Sequence, residues 1–147
     1  MRIGAIPSVA VLLEIQTSGR GFQEVTHEIA QVVRASGVQE GVCVVFVQHT
    51  SASLTIQENA DPSARLDLEA WLERTIREDD SHWTHVDEGP DDMPSHVRSM
   101  LTDVSLSIPV MEARLALGIW QGIYLCEHRQ QPHSRRLAVA VVPTGGS

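Results

Sequence analysis

The stretch GVCVVFVQHTSASLTIQE, residues 41–58, decides the fold. Its first half is a continuous apolar run in which Cys43, Val45, Val47 and His49 share one face by the two-residue period of a strand. Its second half alternates, with Leu54 and Ile56 on one side and Ser53, Thr55 and Gln57 on the other, as in a half-buried strand. Two strands in direct succession, joined only by the hydroxyl-rich turn Thr50-Ser51, predict a β-rich domain, with His49 emerging at the C-terminal end of the first.

The same reading extends outward. Upstream, residues 9–17 (VAVLLEIQT) form a strand between Pro7 and Ser18-Gly19. Phe22, Val25, Ile29, Val32 and Val33 then recur at helical spacing until Gly37 supplies the stop. Downstream, Asp61-Pro62 reads as N-cap and first helical residue, with Leu68, Trp71, Leu72, Thr75 and Ile76 facing inward. From about Asp79 to Pro90 no periodicity survives, which predicts a long functional or disordered loop. A short helix begins near Asp92-Met93-Pro94, carrying Val97, Met100 and Leu101 inward. The last third is strand: Leu106, Ile108 and Val110 alternate with serines, Glu112-Ala113 turns a hairpin to Leu115 and Leu117, and residues 119–128 and 137–142 complete the sheet. Gly118 and Gly122 predict a bulge or a close backbone approach. The expected order is β-α-β-β-α-α-β-β-β-β, a single compact α+β domain over residues 1–147, largely antiparallel sheet or sandwich with three helices.

Composition narrows the chemistry. The 147 residues carry 19 acids against 11 basic side chains, for a net charge of −8. All eleven basic residues are arginine, which excludes a Schiff-base lysine, a P-loop lysine and a lysine general base. No basic cluster exists beyond Arg135-Arg136, so a nucleic acid is not an expected partner. From Glu78 to His96 seven of the 19 acids occur with no arginine, so that this segment holds −7 while the rest is nearly neutral. No run approaches the length of a membrane span. The apolar start, Ile3 to Leu13, is broken by Pro7 and lacks a small-residue cleavage site, so it reads as strand rather than signal peptide. Cys43 and Cys126 both sit in apolar runs and fit a reducing, cytoplasmic compartment.

Three places carry candidate chemistry. His82, His85 and His96 lie within the acidic segment, where imidazoles suit transition metals and carboxylates suit Mg²⁺; the residues alone leave a metal site and a solvated acidic edge both open. His49-Thr50-Ser51-Ala52-Ser53 offers hydroxyls that hold a phosphate or serve ordinary turn bonding. Trp120 to Arg129, followed by Arg135-Arg136, offers a ring for stacking and a guanidinium for phosphate, or a core tryptophan and a surface ion pair. Arg65, Arg74 and Arg77 read as helix-surface residues paired with Asp67, Glu69, Glu73 or Glu78.

Four blocks in order, HTSASL (49–54), ENADP (58–62), DEGPDDMPSH (87–96) and RLALGIWQGIYLCEHR (114–129), closely resemble the YjbQ-like family. The resemblance implies a compact α+β protein assembling as a homotrimer, and an association with secondary thiamine-phosphate synthase activity. It implies a metal site on His49, His85 and His96, with Glu58, Asp92 and Glu127 as candidate catalytic carboxylates. It also implies that Thr50, Ser51, Ser53, Asn59, Trp120, Gln121 and Arg136 bind substrate, with Ser51, Ser53 and Arg136 on phosphate and Trp120 stacked on a ring.

Such a synthase joins a pyrimidine-methyl pyrophosphate to a thiazole phosphate with release of pyrophosphate. It needs a divalent cation and donors where charge builds on the leaving group. Three histidines favour zinc or another transition metal over Mg²⁺, and a metal-dependent phosphoester or small-metabolite hydrolase would use the same ligands. A non-enzymatic trimeric metal- or ligand-binding module is the remaining alternative. The expected partners are a small phosphorylated substrate and further copies of the chain, with no nucleic acid and no membrane.

Overall fold

Two antiparallel sheets are built from strands that the chain visits in alternation. The computed structural model describes residues 8–145, so the expected start of the chain through Pro7 lies outside the described residues. The elements in order are β1 (Val9–Gln16), β2 (Gly21–Glu24), α1 (Thr26–Ser36), β3 (Gly41–Val47), β4 (Ala52–Glu58), α2 (Pro62–Thr75), α3 (Asp92–Leu101), β5 (Ser105–Met111), β6 (Arg114–Leu115), β7 (Gln121–Glu127) and β8 (Ser134–Pro143). The larger sheet has the order β1-β8-β3-β5-β6, and the smaller one β2-β7-β4.

The inner face of the larger sheet, including Cys43, Val45, Val47, Leu106, Ile108, Leu137 and Val139, packs on Leu54, Ile123 and Leu125 of the smaller sheet and on Val25, Ile29 and Val33 at α1. The opposite face of the smaller sheet, Phe22, Tyr124 and Cys126, meets Leu72 and Ile76 at α2, with Leu68 and Val97 alongside. The α+β expectation and the three helices hold. Near-continuous burial on β7, against alternation on β5, reflects this layering, because β7 is covered on both sides.

Three local expectations are corrected. A strand, β2, precedes α1: Phe22 pairs with Cys126 of β7, and the helix begins only at Thr26. The three-residue spacing from Phe22 to Val25 imitates a helix, but the chain turns sharply at Gly19 and Gly21, whose φ angles of 120° and 144° favour glycine. Trp71 is exposed rather than inward; Leu72 and Ile76 alone are buried on that stretch. On α3, Met100 and Leu101 are exposed and the inward face is polar, with Asp92, Ser95, Arg98 and Ser99 buried.

Other readings hold. Asp61 accepts the Ser63 N–H at 2.9 Å, capping a helix whose first residue is Pro62. Glu112 and Ala113 turn the β5–β6 hairpin with φ of 51° and 63°, the left-handed pair of a two-residue hairpin loop. At Gly122 a Cβ would stand 2.7 Å from the Glu24 carboxylate and 3.0 Å from the Asn59 side chain, so this glycine marks a close approach. The segment between α2 and α3 contains neither helix nor strand. Arg65 pairs with Glu69 as expected, whereas Arg77 pairs with Asp79 and Glu78 with Arg20.

Candidate metal centre

Two of the connections that carry the chain from one sheet to the other, residues 48–51 after β3 and residues 128–133 after β7, lie side by side. Gln48 N–H donates to Arg136 O, and His128 N–H donates to Ser51 O. Helix α3 closes over them, because the Ser95 hydroxyl donates to His128 O at 2.9 Å and the His96 ring reaches Thr50 O. At this junction the acidic loop, the hydroxyl turn and the Glu127-His128-Arg129 block meet.

Asp92 and His96 stand four residues apart on α3 and therefore share a face. The long loop brings His85 to the same face. Asp92 Oδ2 is 2.8 Å from His85 Nε2 and 3.1 Å from His96 Nε2. The two imidazole centroids are 5.4 Å apart. These ligand atoms lie within 4.8 Å of one another, close enough to hold one ion. The other Asp92 oxygen accepts Arg129 Nη1–H at 2.8 Å, which fixes a carboxylate that is only 2% exposed.

His96 carries the decisive detail. Its Nδ1 is 3.0 Å from the Thr50 carbonyl, which only accepts, so Nδ1 bears the proton. In the neutral ring the Nε2 lone pair then faces the acceptor oxygen of Asp92. A second ring proton or a cation between nitrogen and carboxylate resolves that opposition. A backbone carbonyl on one ring nitrogen and a ligand position on the other is the usual support of a metal-binding histidine.

The remaining residues are held differently. His49 is not in this cluster: its Nε2 accepts the Arg136 backbone N–H at 2.8 Å. Burial, then the charges of Arg135, Arg136 and His133, push its ring below the ordinary histidine range. Of the three histidines named by the resemblance, His85 and His96 thus lie together beside Asp92, while His49 lies apart from them. Ser53 is fully buried, its hydroxyl shared between His128 Nε2 at 2.7 Å and the Thr102 hydroxyl, and so offers nothing to a ligand. Glu127 is 1% exposed and held by Arg135 through two bonds of 2.7 and 3.0 Å, an enclosed ion pair rather than an accessible carboxylate. Ser51 accepts from Arg135 at 3.0 Å, while Thr50 and Arg136 are exposed beside the crossing. Asp91 would be raised by burial, but the Gln130 N–H and the Arg129 guanidinium outweigh that and hold it below the usual carboxylate range.

Glu58, Asn59, Trp120 and Gln121 form a separate group. Glu58 pairs with Gln121 at one end of β4–β7 and Ala52 with Glu127 at the other. Six residue steps place the two ends about 20 Å apart. Asn59 N–H donates to Trp120 O at 3.0 Å, and its side-chain amide donates to Glu24 at 3.1 Å. Trp120 is 60% exposed at this tip. Reading from sequence named Asp92 as a candidate catalytic carboxylate and did not group it with His85 and His96, although its four-residue spacing to His96 on a helix starting at Asp92 signals that proximity. Arg129 and Arg135 lay in a candidate segment without a role of their own, and Arg98 was missed, with no local pattern to mark it.

Fold and site together define a single-domain α+β protein with a candidate His2Asp cluster where two sheet crossings meet. The family described as UPF0047 protein YjbQ-like matches residues 12–144, and the chain belongs to it. A UPF0047 protein of Synechocystis sp. is 49% identical over 130 residues, covering 88% of both chains. The YjbQ protein of Escherichia coli O157:H7 is 44% identical over 126 residues, covering 85% of this chain and 91% of that one. The crystal structure of a YjbQ/UPF0047-family protein from Clostridium acetobutylicum superposes with a TM-score of 0.82 at 32% identity, covering 90% of this chain and 99% of that one.

Proposed function

We propose that the chain is a divalent-metal-dependent enzyme acting on a small phosphorylated substrate, with His85, Asp92 and His96 as the metal ligands. The observation that carries this reading is the His96 ring, tied through Nδ1 to Thr50 O so that Nε2 points at Asp92. Two imidazoles and one carboxylate suit zinc or another first-row transition metal better than Mg²⁺. When bound, such an ion supplies positive charge against a developing phosphate or pyrophosphate anion. Arg129 keeps Asp92 in place, and exposed Arg136 stands on the neighbouring crossing, available to a phosphate.

The specific reaction this reading favours is thiamine-phosphate formation, supported by the four sequence blocks shared with the family. Its chemistry asks the protein mainly to position two substrates and neutralise the leaving pyrophosphate. A second reading, hydrolysis of a phosphoester, is favoured by His85, whose side chain is 50% exposed and leaves one side of the cluster open to solvent.

We infer a homotrimer acting in the cytoplasm. The outer face of the larger sheet carries the contiguous row Leu12-Ala138-Phe46, with Leu12 53% and Phe46 44% exposed, an apolar surface of the kind that marks a protein contact. Among the described residues no helix is long and apolar enough to cross a membrane. Metal-replete protein supplied with the two thiamine-phosphate precursors, and separately with simple phosphoesters, tests the readings. Product from the first supports the synthase, and turnover of the second, lost in His96→Ala, supports the hydrolase. Metal binding that stabilises the chain or its assembly without either turnover replaces both with a binding module.

A further inference from the structure

Among the described residues Arg98 is the largest fully buried side chain, 2% exposed, and stands two residues from His96 on α3, on another flank of the helix. One of its nitrogens, Nη2, donates to Ile76 O at 2.9 Å at the end of α2. Nε and Nη1, which carry three N–H donors between them and are sealed from solvent, have no partner among the described residues. A buried guanidinium without a carboxylate is costly, since an unpaired charge loses several kcal/mol of hydration, on the order of the penalty for any isolated ion in a protein interior.

Its surroundings form a cavity of about 350 Å³ between β2, α2 and α3, walled by Phe22 and Leu72 and lined by Arg20, His128 and Gln130. That volume suits a small metabolite. The other charges at the cavity are already engaged. Arg20 pairs with Glu78, Glu69 with Arg65, and Glu127 with Arg135. His128 is held neutral by burial, with its pKa lowered to about 3, so it neither attracts nor repels an anion. Glu73, exposed at the rim, is the one lining carboxylate without an ion pair among the described residues.

We infer that this cavity is an oxyanion-binding site in which the Arg98 guanidinium, at the cavity wall and without a carboxylate partner, draws in the carboxylate or phosphate group of a small molecule, a turn of the side chain bringing its sealed Nε–H and Nη1–H donors to the ligand. The apolar walls take the ligand's body, and Glu73 at the entrance disfavours multiply charged anions. The site is distinct from the His85-Asp92-His96 cluster and does not depend on a metal there.

The test uses the full chain in chelator, so that an anion cannot be held by a metal. Thermal melting and titration calorimetry are run with inorganic phosphate and with acetate as separate probes, against chloride at equal ionic strength. A saturable rise in melting temperature with phosphate or acetate supports the site, and whichever acts identifies the oxyanion. Arg98→Met should abolish that rise while leaving the ligand-free melting temperature unchanged or higher, because a buried unpaired charge has been removed. Glu73→Gln should tighten binding several-fold, and Arg34→Gln, a surface control on α1, should leave it unchanged. The inference is overturned if neither anion acts beyond chloride, or if the rise persists in Arg98→Met. Should Arg98→Met not fold, loss of the Glu73→Gln tightening overturns it equally.

Discussion

The two ends of the β4–β7 pair carry the same kinds of residue and opposite physics. At the Ala52–Glu127 end, polar and charged side chains are buried and engaged with one another: Glu127 with Arg135, Ser53 with His128, Asp92 with Arg129 and two imidazoles. At the Glu58–Gln121 end, Glu58, Asn59, Trp120 and Gln121 are exposed and lightly bonded. Sequence blocks shared with the family occur at both ends, so membership in a block does not say which residues hold structure and which meet a ligand. Burial does.

Breaking the ion pair at the buried end should have the largest effect. Glu127→Gln leaves Arg135 as an uncompensated cation at 4% exposure, and should cost about 3–5 kcal/mol of unfolding free energy, read from the urea midpoint. Glu58→Gln at the other end should change it by under about 0.5 kcal/mol. Equal losses at both ends would dissolve the comparison.

Metal should follow. At a free concentration of about 100 Kd it should stabilise the wild type by about 2.7 kcal/mol, as a rise in melting temperature that His96→Ala lacks. Trp120→Ala, about 20 Å away, should keep it.

A term that emerges only on acidification belongs to His128. Burial, then the charges of Arg98, Arg135 and Arg20, lower its pKa from 6.5 to about 3 in the folded protein. The unfolded chain therefore takes up the proton first, and stability present above pH 6.5 is lost as pH falls towards 3, by up to about 1.4 kcal/mol per pH unit. The difference in unfolding free energy between wild type and His128→Asn should shrink across that window. A difference constant with pH would mean that His128 is not held neutral.

The smallest effect concerns the thiols. Burial raises Cys43 to about 11 and Cys126 further, so neither should react with a thiol reagent until the chain unfolds.

What could be read beforehand follows the same division. The apolar strands β3, β5 and β8 and the capped start of α2 were legible because apolar period and cap chemistry are local signals. The inward face of α3 was not, because its buried residues, Ser95, Arg98 and Ser99, are polar and satisfy partners distant in sequence, such as His128 and Ile76. The same limit applied to the site. His85 and His96 stood out as residue types in an acidic loop, and the −7 charge of that segment drew attention to it. That Asp92, rather than His49, stands beside His85 and His96 depends on where two sheet crossings meet a helix, which the chain's local pattern does not show. Phe22 illustrates the converse error, a local helical interval overridden by pairing with β7.

The most direct test of the account is the metal content of purified protein across single substitutions at residues 49, 85, 92 and 96. The account predicts one divalent ion per chain in the wild type, retained in His49→Ala and lost in His85→Ala, Asp92→Asn and His96→Ala, each with the fold intact by circular dichroism. Full occupancy in Asp92→Asn and His96→Ala, or loss in His49→Ala alone, would contradict it.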